Sequence, residues 1–181
     1  MKYTDPDGRE DDVTNSNIVV IVVRDPASYE TIGGKNPELK GKDFLVFYNK
    51  DSGESLWVPI SSVPTMTGTT KDDAIAPGDI VLMLGPEKGS KYSPNVLTVA
   101  GGTLFSGDTL LRDGTTATNK VPWRVHDTMK FGSEGCLVGQ TGNPSGSVVN
   151  VVATLKSWGL KYGDTFRGTL RESIDLTRRG Q

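Results

Sequence analysis

Ile18-Val-Val-Ile-Val-Val23 is the stretch that most restricts what this chain can become. Consecutive β-branched residues favour extended backbone, and unbroken apolarity leaves neither face of the strand for water. Asp25-Pro26 stops the run, because proline has no N–H to give to a ladder. The run predicts a buried central strand, and such a strand needs partners on both sides. The remaining sequence offers them in short pieces. Residues 43–48 and 55–60 flank Asn49-Lys-Asp-Ser-Gly53, whose Asn, Asp and Gly suit a turn; the pair reads as a hairpin, with Pro59 favouring an edge. Residues 80–84, begun by Ala76-Pro77-Gly78, form a further buried strand. Weaker strands are expected over 96–99 and 104–111, a short one over 121–125 that delivers His126, and a last one over 165–171.

Between these pieces stand loops marked by their residues. Gly33-Gly34, Pro37 and Gly41 punctuate 28–42, Thr-rich residues with Pro64 and Gly68 fill 61–73, and polar residues fill 113–120. The loop over 140–147 ends in cap-forming residues. Val148, Val151, Val152, Leu155 and Trp158 then follow at helical spacing until Gly159, which predicts one late helix. The expected fold is mainly β: seven or eight short strands and a single late α-helix.

With 181 residues, 35% of them hydrophobic, the chain has material for one core, assigned to residues 17–172. Residues 1–16 are polar and acidic and read as a flexible arm, or one ordered only by a partner; 173–181 read as a polar tail. Lys plus Arg number 20 against 22 Asp plus Glu, a formal charge of -2, which gives no general attraction to nucleic acid. The first twelve residues contain no apolar h-region, and no later run is long enough for a bilayer, so the expectation is no membrane and no export signal.

The sole histidine, His126, and the sole cysteine, Cys136, stand ten positions apart around Ser133-Glu134-Gly135. A lone thiol is a packed small hydrophobe, a spectator or a nucleophile. A nearby histidine tips the choice towards the third, since an imidazole within reach can take the thiol proton at neutral pH. Small residues before Cys136 permit a sharp turn whose N–H groups, around Gly135 and Cys136, would face a tetrahedral oxygen. Asp127 or Glu134 would orient the imidazole, and the sequence does not choose between them. The bland alternatives are a packed thiol, a satisfied His126–Asp127 surface pair, a solvated Glu134, and Trp57, Trp123 and Trp158 as core or rim aromatics. One His and one Cys are too few for a zinc site, no calcium-loop or phosphate-cradling pattern appears, and no cofactor is expected.

The order of these features resembles the YkuD-like L,D-transpeptidase superfamily. The corresponding pieces are Thr67-Gly68, Ala76-Pro77-Gly78-Asp79, His126, Ser133-Glu134-Gly135-Cys136, the helix from Val148, and Gly168-Thr169. The resemblance spans residues 18–171 in order, and His126–Val138 is its specific part. It looks closest to a smaller, often phage-encoded group with a histidine and then Ser/Thr-Glu-Gly-Cys. Glu134 stands where the main family has histidine, and Val138 where an arginine commonly follows the nucleophile. The resemblance implies a β-sandwich, and a cysteine nucleophile with a histidine base acting on peptidoglycan stem peptides as hydrolase or transpeptidase. It also implies a chain that is cytoplasmic when made and then virion-associated or released at lysis. The competing implication is a catalytically silent virion or tail protein, structural or binding, that keeps the fold and meets other virion proteins through residues 1–16.

Overall fold

The structure, a computed structural model, describes residues 15–67, 74–84, 97–100, 108–110, 116–118, 124–133, 135–140, 142–143 and 147–173. The β-branched run becomes β1 (Ile18–Arg24). Its side chains alternate: Ile18, Val20, Val22 and Arg24 are buried, while Val19, Ile21 and Val23 are half-buried on the opposite face. Unbroken apolarity thus marks a strand buried on one side and half-covered on the other.

The hairpin forms as expected from β2 (Asp43–Asn49) and β3 (Ser55–Ile60), with Pro59 opposite Phe44 on the outermost strand. β4 (Gly78–Leu84), β5 (Leu97–Ala100), β8 (Arg124–Thr128), β9 (Leu137–Gln140) and β10 (Thr165–Glu172) complete one sheet in the order β3-β2-β1-β10-β4-β5-β8-β9. β6 (Asp108–Leu110) and β7 (Thr116–Thr118) pair separately. The last strand of the chain therefore lies in the middle of the sheet, parallel to β1 and antiparallel to β4. Gly168 allows this. A Cβ there would come within 2.9 Å of Ile80 Cγ1 and 3.4 Å of Val20 Cβ, so only glycine permits so close an approach.

The sheet closes on itself. Ser61, just beyond β3, donates its N–H to the Val138 carbonyl of β9 at 2.8 Å and accepts the Val138 N–H at 2.9 Å. First and last strands of the sheet thus meet, and the two layers of the mainly-β fold are one sheet curled over. The helix α1 (Val148–Ser157) packs on β3, β8 and β9 beside this join. Ser147 caps it, its hydroxyl accepting the Asn150 N–H, and Gly159, at φ 91, ends it. Val151, Val152 and Leu155 enter the core with Phe47 and Phe166, whose rings meet edge-to-face at 6.1 Å.

Several expectations need correction. Ten strands are described rather than seven or eight. Thr116–Thr118, expected as polar loop, is strand β7, since threonine's branched Cβ favours extended backbone without an apolar pattern to announce it. Residues 28–42, expected as loop, overlap two 3-10 segments, Pro26–Gly34 and Pro37–Leu39. His126 lies inside β8, not after it. Of the aromatics expected at core or rim, Trp57 is exposed against Phe44 and Trp158 is partly buried against the core. The arm before Asn15, the tail after Ser173, Trp123 and most of 101–123 lie outside the described residues.

Candidate functional site

Parallel neighbours normally need a crossover of a dozen residues or more, because the chain must return to the starting end of the first strand. β8 and β9 are parallel neighbours joined by residues 129–136 alone. So short a return forces tight turns. Lys130 and Phe131 take positive φ values of 55 and 53, and Gly135 takes φ 147. For non-glycine residues that conformation costs about 1 kcal/mol or more each, and it persists only where surroundings enforce it.

The consequence is proximity of the two residues singled out by sequence. Val125 is in register with Leu137 and His126 with Val138, so Cys136 lies one position before the first pair and His126 one position after it. Their backbones are offset by about 7 Å along the strands and about 5 Å across them. His126 is buried, only 7% exposed, and the Cys136 thiol is half-buried and packs partly against the hydrophobic core.

The imidazole is oriented by backbone. His126 Nδ1 lies 3.2 Å from the carbonyl oxygen of Asp127. A carbonyl only accepts, so Nδ1 is the donor in this contact, and in the neutral ring Nε2 is then the nitrogen that can accept a proton. Asp127, one of the two orienters expected from sequence, meets the ring through its backbone carbonyl. Glu134, the other candidate, lies outside the described residues.

Ser133 shapes the turn before the thiol. Its hydroxyl accepts the Gly135 N–H at 2.9 Å and donates to the Cys136 carbonyl at 2.8 Å. That fixes the peptide unit before Gly135 and the one after Cys136. It also corrects one expectation: the Gly135 N–H is engaged by Ser133 Oγ and does not stand ready as an oxyanion donor.

Sequence reasoning missed the far side of this turn. Thr65 and Met66 both donate their N–H to the Ser133 carbonyl, at 2.8 and 2.9 Å. The Thr65 hydroxyl accepts the Ser133 N–H at 3.1 Å and donates to the Phe131 carbonyl. Lys40 Nζ donates to the Thr65 carbonyl at 2.8 Å, and Gly41 N–H to Ser61 Oγ at 2.8 Å. The Phe131 ring lies where a Cβ on Gly41 would be, 2.5 Å from Phe131 Cζ, so glycine is required at 41. No local signal in a Thr-rich loop identifies a partner 68 residues later in the chain.

A buried polar network anchors the same segment from behind. Arg24, 0% exposed, donates from Nε to Ser62 Oγ at 2.7 Å, from Nη2 to the Ser62 carbonyl, and from Nη1 to the Ile75 carbonyl and Tyr29 hydroxyl. Ser62 Oγ passes its own proton to Asp43 Oδ2 at 2.7 Å. Asp43 also accepts from Asp25 N–H, Ser62 N–H and Ser28 Oγ. Burial pushes the Asp43 carboxyl above its ordinary value, and these donors oppose the shift. Burial also raises the Tyr29 phenol, which donates to Glu172 at 2.6 Å.

Comparison of the chain with protein-family models, with curated proteins and with solved structures returns no match in any of the three. Among the described residues, no helix is long and apolar enough to cross a membrane.

Proposed function

We propose that this chain carries out cysteine-dependent acyl transfer or hydrolysis on peptidoglycan stem peptides, with Cys136 as nucleophile and His126 as base. The observation that supports the chemistry is the short β8–β9 connection, which brings the backbones of Cys136 and His126 to neighbouring positions on two paired strands. The substrate class and the phage setting rest on the sequence resemblance to the YkuD-like group alone.

In this reading the thiol proton passes to His126 Nε2 while Cys136 Sγ bonds to the peptide carbonyl carbon. The tetrahedral adduct collapses as the C–N bond breaks, and the imidazolium returns the proton to the leaving amine. A thioester remains. Water or an acceptor amine then attacks it, gives a proton to Nε2, and the C–S bond breaks as that proton returns to sulfur. Ser133 holds the turn, and Asp127 holds the imidazole through its carbonyl.

A second reading, a silent virion or tail component with the same fold, is favoured by the thiol's packing on the core and by the engaged Gly135 N–H. The pH dependence of Cys136 alkylation separates the two. In the catalytic reading the wild-type thiol titrates below about 8.5, and His126→Ala returns it to ordinary, slow behaviour. Purified peptidoglycan then yields new amine or carboxyl ends with the wild type and none with Cys136→Ala. A thiol equally inert in both proteins overturns the catalytic reading.

A further inference from the structure

The segment from Ser61 to Met66 meets the candidate site twice. Ser61 brackets Val138, the register partner of His126, and Thr65 with Met66 grips Ser133, whose hydroxyl holds both Gly135 and Cys136. Four hydrogen bonds join Thr65 and Met66 to the 131–133 turn, and the Thr65 side chain makes two of them. Thr65 is 0% exposed, so those two bonds are not traded with water.

We infer that Thr65 is a positioning residue for Cys136, acting through Ser133. The inference rests on the reading of Cys136 as a His126-activated thiol. Its physical basis is the conformation of Lys130 and Phe131. Two adjacent side-chain-bearing residues in the left-handed region relax unless neighbours prevent it. The Thr65 hydroxyl holds the chain immediately after them: it donates to the carbonyl of Phe131 and accepts the N–H of Ser133, one bond on each side of Gly132. Without it the strained turn loosens, Ser133 Oγ loses its fixed place, and the peptide units bearing Cys136 shift relative to the imidazole on β8. The neighbouring bonds from Thr65 N–H and Met66 N–H are backbone bonds that a substitution leaves in place, so the side chain's role can be measured separately.

The test compares Thr65→Val, which keeps the shape and removes the hydroxyl, with Thr65→Ser, which keeps the hydroxyl, in the full chain. Iodoacetamide labelling of Cys136 is followed from pH 5 to 10, with folding checked by near-UV circular dichroism. Thr65→Val is expected to raise the apparent thiol pKa by about one unit, which is about a tenfold slower labelling at pH 7, while Thr65→Ser follows the wild type. If Thr65→Val does not fold, Thr65→Ala takes its place against Thr65→Ser. A depressed wild-type pKa with an unchanged profile in the folded valine or alanine variant overturns the inference and leaves the Cys–His reading standing. So does a serine variant that behaves like valine. A wild-type thiol that titrates as an ordinary one, and alike in His126→Ala, overturns both together.

Discussion

Arg24 carries a charge into the interior, and a guanidinium there is tolerated only when its donors are met. It meets Ser62, Ile75 and Tyr29, and it reaches Asp43 only through the Ser62 hydroxyl. Asp43 accordingly feels burial more than attraction, and its carboxyl lies above the ordinary range. A raised folded-state value means the native protein holds this proton more tightly than the unfolded chain. The linked stability is complete below about pH 3.9 and is lost as pH rises through the raised value. Asp43→Asn has no such proton, so its cost in stability should be larger at pH 4 than at pH 7, measured by urea unfolding at both; the reverse order would mean that the four donors outweigh burial. None of this network is legible in sequence. Arg24 follows a valine run and precedes Asp25-Pro26, and by residue type it belongs on the surface. His126 and Cys136, by contrast, were identifiable because each is the only residue of its kind. The candidate pair was visible there, and the Ser133 brace and the Thr65 grip were not.

Elements with a periodic pattern were read well, and elements made by long-range pairing were not. The helix followed from Val151, Val152 and Leu155 on one face with a serine before and a glycine after, all local facts. β2 and β3 followed from a turn between two apolar runs. β9 escaped because Leu137-Val-Gly-Gln140 is too short to show alternation and exists as a strand through its pairing with β8. The closing contact of Ser61 with Val138 was equally hidden, since it joins residues 77 positions apart through backbone atoms that carry no side-chain signature. Backbone chemistry also makes it testable. Ser61→Pro removes the N–H that reaches the Val138 carbonyl and leaves that buried oxygen without the donor. The expected cost is about 1–3 kcal/mol, together with faster hydrogen exchange at the Val138 N–H than at β1–β2 amides. Equal protection in variant and wild type would show that the join does not depend on this bond.

At the scale of the whole molecule, β10 joins two halves of the sheet that would otherwise meet only at the Ser61–Val138 bridge. β3-β2-β1 lies on one side of it and β4-β5-β8-β9 on the other, and its only described partners are β1 and β4. Phe166 and Leu170 complete the core from this strand. A chain cut after Leu160 keeps nine of the ten described strands and the helix, yet it is expected to show no cooperative thermal transition by circular dichroism. A sharp transition near that of the full chain would mean that the halves hold together without β10. The same placement governs how the protein is made. A ribosome delivers β1 early and β10 after every other described strand, so throughout synthesis the emerging chain displays two unpaired strand edges beside a valine-rich stretch. The nascent protein therefore depends on whatever shields those edges in the cell, and rapid expression at high temperature is where its yield should suffer first.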